Sequence, residues 1–163
     1  LNLMGPAFES GTGDYTTLFE PTASEYQKAG KGYVVASVGE ESGEIPYTAF
    51  MTLKSYLEKN NAIVEKFMRA IQKAIKYVQT TDEDKVADSL LKQFPSTAKE
   101  SIAASLKSYK KIDAWTIDTT MTKQAFDNLQ TVMENAGELD KRADYGKINY
   151  DEIAKKVYKE IYG

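Results

Sequence analysis

The sequence contains neither cysteine nor histidine. Without cysteine, disulfide bonds, thiolate catalysis and zinc sites built on thiolates are excluded within these residues. Without histidine, the commonest general base and the commonest metal ligand are missing as well. Carboxylates or lysines would have to carry all proton transfer, so the composition disfavours an enzyme and predicts no catalytic residues.

Long apolar runs and a surplus of basic charge are also absent. No segment approaches the roughly 20 apolar residues that a membrane-spanning helix needs. The 24 acidic and 21 basic residues give a net charge of −3, which offers no positive field to nucleic acid. With 163 residues, of which 42% are hydrophobic, the composition is that of a soluble globular protein.

Two segments resemble cofactor or metal motifs, but their residue spacing does not match those motifs. Residues 11–13 (GTG) precede a strand pattern and lack the third glycine of a dinucleotide loop. Residues 82–84 (DED) resemble the start of a calcium loop, but Ala87 stands where that loop needs glycine. We therefore predict no cofactor and no metal.

The most informative stretch combines extended segments with a sharp corner. Residues 15–19 (YTTLF) predict a strand that stops at Pro21, which cannot donate to a ladder. Thr22 as N-cap, with Glu25 three positions later, predicts a short helix. A second strand is expected at residues 33–38 (YVVASV), and residues 45–51 (IPYTAFM) are compatible with a third.

Downstream of residue 45 the pattern is overwhelmingly helical. Asn60 or Asn61 can cap the longest helix, whose apolar residues recur every four positions. Shorter amphipathic helices follow, with predicted caps at Asp82, Ser96, Thr122 and Asn149. The chain as a whole is thus predicted to be an α/β protein, rich in helix and with a few strands.

Two short segments are candidates for ligand contacts. Glu20 stands between Phe19 and Pro21 at a predicted strand end, where an unpaired carboxylate would be costly to bury. Either an internal lysine or a backbone amide satisfies this carboxylate, or it awaits a donor on a ligand. The Ser42-Gly43 pair either exposes backbone N–H groups to an anion or forms a plain hinge turn.

Three segments together resemble a known family. Residues 13–24 (GDYTTLFEPTAS), 32–39 (GYVVASVG) and 42–48 (SGEIPYT) are similar to the C-terminal half of bacterial ABC-transporter solute-binding proteins. The branch they resemble binds nitrate, taurine, alkanesulfonates and thiamine-pyrimidine precursors. The resemblance covers nearly the whole chain, and the first forty-eight residues are its specific part.

The resemblance implies a type 2 periplasmic-binding fold, in which two α/β lobes close on a solute. Residues 1–43 would then finish the second lobe, and residues 44–163 would form the C-terminal part of the first lobe with its closing helices. The ligand-binding residues implied by this match are Phe19, Glu20, Ser42, Gly43 and Tyr47.

The implied function is capture of a small solute for an ABC permease in the membrane, outside the cytoplasm, as a periplasmic protein or a lipoprotein. A carboxylate at Glu20 favours a neutral heteroaromatic solute with an amino group over a bare anion. Two alternatives share the fold: a cytoplasmic effector-sensing domain, and a pyrimidine synthase, which relies on histidine and cysteine chemistry.

The chain departs from the family in length. Leu1 is not an initiator methionine, and about half of a normal binding protein is missing. We therefore expect a fragment whose larger sheet, signal and anchor lie upstream of Leu1. Apolar faces left open by the missing half could be covered by a second copy, which predicts a homodimer.

Overall fold

The computed structural model describes residues 3–163, and within that range ten helices follow one another. They are α1 (Met4–Glu9), α2 (Thr22–Lys28), α3 (Val38–Glu41), α4 (Lys54–Lys59), α5 (Asn61–Thr80), α6 (Glu83–Leu90), α7 (Lys99–Lys111), α8 (Lys123–Asn135), α9 (Tyr145–Ile148) and α10 (Glu152–Tyr162). The described residues divide into two compact units. The first comprises the residues up to Glu41 with Thr80–Ala114, and the second comprises Ser42–Gln79 with Trp115–Gly163.

The first unit has its core between α6 and α7. Its buried apolar side chains are Val86, Ala87, Ile102 and Leu106. The Lys110 ammonium group holds the start of α6 against the end of α7. It donates to the carbonyl oxygen of Thr81 at 2.7 Å and to the carboxylate of Glu83 at 2.9 Å. Helix α2 also contacts α7.

The second unit buries one face each of α8 and α10. Its buried apolar side chains are Ala125, Phe126, Ile153, Ala154 and Val157. Two glutamines are buried with them, Gln72 on α5 and Gln130 on α8. Both make hydrogen bonds to main-chain groups, as buried polar side chains require.

Two helix starts were predicted at the right residue. The Asp82 carboxylate accepts from the amide of Asp84 at 3.0 Å, and the Thr122 hydroxyl accepts from the amide of Ala125 at 3.1 Å. The predicted caps Thr22, Ser96 and Asn149 are wrong. The N-caps of α2, α7 and α10 are Pro21, Ala98 and Asp151.

The predicted α/β class is wrong, and with it the type 2 periplasmic-binding fold. No residue from 3 to 163 belongs to a strand. Residues 14–19, 32–37 and 45–53 are neither helical nor paired in a ladder, and Val38 belongs to α3 instead of a strand. β-branched and aromatic residues suit a strand only where a neighbouring strand offers hydrogen bonds. Here the Val34 amide donates to the Gln27 side chain, at 2.8 Å.

The assignment of residues 1–43 and 44–163 to parts of two lobes stays a prediction. The prediction that the chain is a fragment was based on Leu1, and this residue lies outside the described range.

Candidate functional site

The predicted Phe-Glu-Pro corner leads directly into α2. The Glu20–Pro21 peptide bond is cis, and Pro21 is the N-cap of the helix. The half-buried Glu20 carboxylate accepts from the backbone amide of Ser24 at 3.1 Å and from the Ser24 hydroxyl at 2.9 Å. It thereby satisfies one of the amides that every helix start leaves without an intrahelical partner. Phe19 keeps 48% of its surface exposed beside this carboxylate.

This geometry identifies the donors that the chain itself supplies to Glu20. A backbone amide and a neighbouring hydroxyl, both from Ser24, satisfy the carboxylate in place of a lysine. An ionised carboxylate has about four acceptor sites, so two donors do not exhaust it. Glu20 is therefore oriented by α2 and can still accept a hydrogen bond from a solute.

The remaining predicted ligand residues belong to the second unit. The Ser42 hydroxyl donates to the carbonyl oxygen of Gly43 at 3.2 Å. Gly43 has a φ of +68°, in the left-handed region that favours glycine, and so forms a turn. Tyr47 is 81% exposed. The Asn128 side chain holds the turn by donating to the carbonyl oxygen of Glu44 at 3.2 Å.

The predicted site residues fall into two groups of sequence neighbours, one in each unit. Phe19 and Glu20 belong to the first unit, and Ser42, Gly43 and Tyr47 belong to the second. A role of any of the five in binding stays a prediction.

Two further residues, not predicted from the sequence, shape the corner. Ser24 orients Glu20, and a serine four residues after a carboxylate at a helix start is a sequence signal for such a contact. Gln27 on the same helix accepts from the Val34 amide and so attaches residues 32–37 to α2. No sequence pattern indicates that second contact.

A shallow depression of about 300 Å³ lies in the second unit, where α5 and α10 begin. It is lined by Asn61, Glu65, Tyr150, Glu152, Ile153 and Lys156. The Tyr150 hydroxyl donates to the Glu152 carboxylate at 3.2 Å. Partial desolvation, reinforced by this hydrogen bond, raises the pKa of Tyr150 above its ordinary value. The polar groups of the depression are thus largely occupied with one another.

An ion-pair network joins α5 to α10 beside this depression. Glu65 accepts from Lys156 at 2.7 Å and from Arg69 at 2.9 Å. Arg69 also pairs with Glu160 at 2.6 Å. The hydrogen bond from Lys156, followed by that from Arg69, lowers the pKa of Glu65 below its ordinary value.

The lowered pKa of Glu65 predicts a pH-dependent contribution to stability. The contribution is fully present above the ordinary glutamate pKa, and it is lost as the pH falls through the lower pKa of the folded state. We expect wild type to be more stable than Glu65→Gln at pH 7, and this difference to shrink towards pH 3. Urea titrations of both proteins across that range measure it. When Lys156 is replaced by Gln in both proteins, the pH dependence of their stability difference should be smaller. An unchanged pH dependence would show that the Glu65–Lys156 pair does not cause it.

Over residues 3–163, no three acidic side chains converge in a way that could hold a metal ion. Within the same residues, no helix is both long and apolar enough to cross a bilayer.

The chain is similar to a protein of Bacillus subtilis (strain 168). That relative, named "Putative binding protein YtlA", is 43% identical over 154 residues. The match covers 94% of this chain but 46% of the relative, so the chain spans about half the relative's length. No family model matches the chain, and no solved structure matches it.

Proposed function

We propose that this chain is part of a binding protein, the substrate-binding component of an ABC importer that captures a small solute. The observation that carries the proposal is the 43% identity to a protein named as a binding protein, extending over 94% of the chain. The proposed work is reversible binding of a solute, without chemistry on it.

The corner at α2 supports this function in physical terms. It places an exposed aromatic ring, Phe19, next to a carboxylate whose orientation is fixed by Ser24. An aromatic face with an adjacent oriented acceptor suits a flat solute that carries an N–H donor. Ser42, Gly43 and Tyr47 belong to the second unit and are proposed as solute contacts on that unit, where the Tyr47 ring is 81% exposed.

The carboxylate also narrows the class of solute. A sulfonate or nitrate would bring negative charge next to the Glu20 carboxylate, and like charges repel each other. An amino group on a heteroaromatic ring would instead donate a charge-assisted hydrogen bond. Within the classes bound by the resembling transporters, we therefore favour a thiamine-pyrimidine-like solute over taurine, alkanesulfonates and nitrate.

The proposal includes a partner and a location. The partner is an ABC permease, which receives the solute at the membrane. The location is outside the cytoplasm, either periplasmic or held at the cell surface by a lipid anchor. A protein assigned to the periplasm or cell surface by fractionation of cells would support this location, and one found with the cytosol would contradict it.

Replacement of Glu20 tests the choice of solute. We expect Glu20→Gln to weaken binding of an aminopyrimidine roughly 10- to 100-fold, because a hydrogen bond to a charged acceptor contributes about 1.5–3 kcal/mol. Isothermal titration calorimetry on the full-length protein measures the affinity. Glu25→Gln is the matched control, since Glu25 is an exposed carboxylate on α2, the helix that follows Glu20.

A second variant separates orientation from charge. Ser24→Ala keeps the carboxylate but removes the hydroxyl that orients it, so we expect a smaller loss of affinity than with Glu20→Gln. Tight binding of an alkanesulfonate that Glu20→Gln leaves unchanged would overturn the preferred solute. Failure of every tested solute to bind the full-length protein would overturn the proposed function.

A further inference from the structure

A buried glycine of α1 lies against both arms of the Phe-Glu-Pro corner, residues 19–21. A Cβ atom placed on Gly5 would lie 2.7 Å from the hydroxyl oxygen of Tyr26 and 3.6 Å from Cδ2 of Leu18. Leu18 directly precedes the corner, and Tyr26 belongs to α2, the helix that follows it. Gly5 is therefore next to both the chain that enters the corner and the helix that leaves it.

The close approach of Tyr26 accounts for a glycine at this position. The φ of Gly5 is not in the left-handed region that favours glycine, so the backbone does not require this residue. Inside a helix, glycine is less favourable than alanine. A methyl group on Gly5 would nevertheless force the Tyr26 hydroxyl to move, because real Cβ atoms do not approach an oxygen to 2.7 Å.

Two further contacts hold the Tyr26 ring and connect α1 with α2. The Tyr26 hydroxyl donates to the Glu9 carboxylate of α1 at 3.4 Å. The Lys31 ammonium group lies 5.2 Å from the centroid of the ring and pairs with Glu9 at 2.5 Å. A ring that is pushed away from Gly5 loses these contacts unless α2 moves with it.

We propose that α1 positions the Phe-Glu-Pro corner for the solute, with Gly5 as the positioning residue. The proposal rests on the proposed function, since the corner carries the solute contacts Phe19 and Glu20. Ser24 orients Glu20 and lies two residues before Tyr26 on α2. A shift of α2 therefore displaces both hydrogen-bond donors of the carboxylate, although no residue of the site has been changed.

Replacement of Gly5 by alanine tests this role. We expect Gly5→Ala to bind an aminopyrimidine roughly 3- to 10-fold more weakly than wild type, a smaller loss than with Glu20→Gln, because the carboxylate is kept but displaced. Isothermal titration calorimetry on the full-length protein measures the affinity. Gly146→Ala is the matched control, since Gly146 lies in α9 of the second unit and its added Cβ would meet Asp144 at an ordinary 3.5 Å.

A second substitution separates positioning from a general loss of stability. Tyr26→Phe in the Gly5→Ala protein removes the oxygen nearest to the added methyl group, and the ring carbon Cζ, at 3.1 Å, has to yield far less. We expect the affinity of this double variant to return to within about twofold of wild type. Tyr26→Phe alone should bind like wild type, because it loses only the long, exposed hydrogen bond to Glu9. A double variant that binds no better than Gly5→Ala would overturn the proposal.

Hydrogen exchange at the Ser24 amide gives a measurement that needs no solute. This amide donates to the Glu20 carboxylate at 3.1 Å, and a hydrogen bond slows exchange. We expect exchange at Ser24 to be at least about threefold faster in Gly5→Ala and to slow again in the double variant with Tyr26→Phe. NMR of the full-length protein labelled with ¹⁵N-serine measures the rates, and Glu20→Ala gives the rate without the bond.

The two measurements distinguish failure of this role from failure of the proposed function. If no solute binds to wild type while exchange at Ser24 changes as expected, the proposed function is wrong and the positioning by α1 is supported. Unchanged exchange at Ser24 in Gly5→Ala would overturn the positioning, whether or not a solute binds. Faster exchange with unchanged affinity for the aminopyrimidine would mean that the solute does not depend on the corner, and would overturn it as well.

Discussion

Replacing Phe126 by alanine is expected to lower the free energy of unfolding of the second unit by about 3–5 kcal/mol. Phe126 on α8 is 6% exposed and is the largest buried apolar side chain of that unit. Its ring also lies against that of Tyr145, with centroids 5.8 Å apart. The substitution removes both the transfer free energy of the ring and its contacts, and leaves a cavity behind.

Urea titration followed by tryptophan fluorescence measures this effect. Trp115 is the single tryptophan of the chain and belongs to the second unit, so its emission reports on the unit that contains Phe126. Val132→Ala on the same helix is the control, because Val132 is 52% exposed and its truncation should cost less than about 0.5 kcal/mol. A loss below about 1 kcal/mol for Phe126→Ala would contradict the packing described for this unit.

Replacing Gln72 by alanine is expected to cost about 3 kcal/mol, although the residue is polar. Its side chain is completely buried and makes two hydrogen bonds. The amide nitrogen donates to the carbonyl oxygen of Ile117 at 2.6 Å, and the amide oxygen accepts from the Thr119 hydroxyl at 3.1 Å. Truncation leaves these groups without partners and also opens a cavity.

A pair of variants separates the two causes. Gln72→Leu nearly fills the volume but cannot form the hydrogen bonds, so we expect it to retain a loss of about 2 kcal/mol. Gln124→Ala on α8 is the control, because Gln124 is exposed and bonds only to the neighbouring Asn128. The same urea titration applies. If Gln72→Leu were as stable as wild type, the hydrogen bonds would carry no net stability and the interpretation would be wrong.

Local features of the fold could be predicted from the sequence, and features that need a distant partner could not. The caps at Asp82 and Thr122 were found because each bonds an amide two or three residues away. Ser96 and Asn149 were assigned wrongly, because the actual N-caps of α7 and α10, Ala98 and Asp151, make no side-chain cap hydrogen bond. Capping chemistry therefore does not mark these two helix starts.

The strand predictions were wrong for a related reason. Residues 15–19 and 33–38 have the composition of strands, but a strand also needs a ladder partner, and composition does not say whether one exists. Val34 illustrates the difference, since its amide bonds to a glutamine side chain. The burial of Gln72 could not be predicted from the sequence either, because its main-chain acceptor lies 45 residues further along the chain.

The candidate site stays a prediction, but one local contact of Glu20 could be anticipated from the sequence. The sequence indicated that Glu20 must be satisfied, since a carboxylate between an aromatic residue and a proline has few ways to reach water. It left the donor open, and Ser24 supplies both hydrogen bonds.

The glutamines of α5 hold the segment after α7 through its main chain. Gln72 bonds to the carbonyl oxygen of Ile117, and Gln79 bonds to that of Trp115 at 2.5 Å. Every amino acid has the same peptide carbonyl group, so these two hydrogen bonds do not depend on the side chains of residues 115 and 117. The exposed side chain at position 117 can therefore be replaced without loss of these hydrogen bonds, as long as the two glutamines are kept.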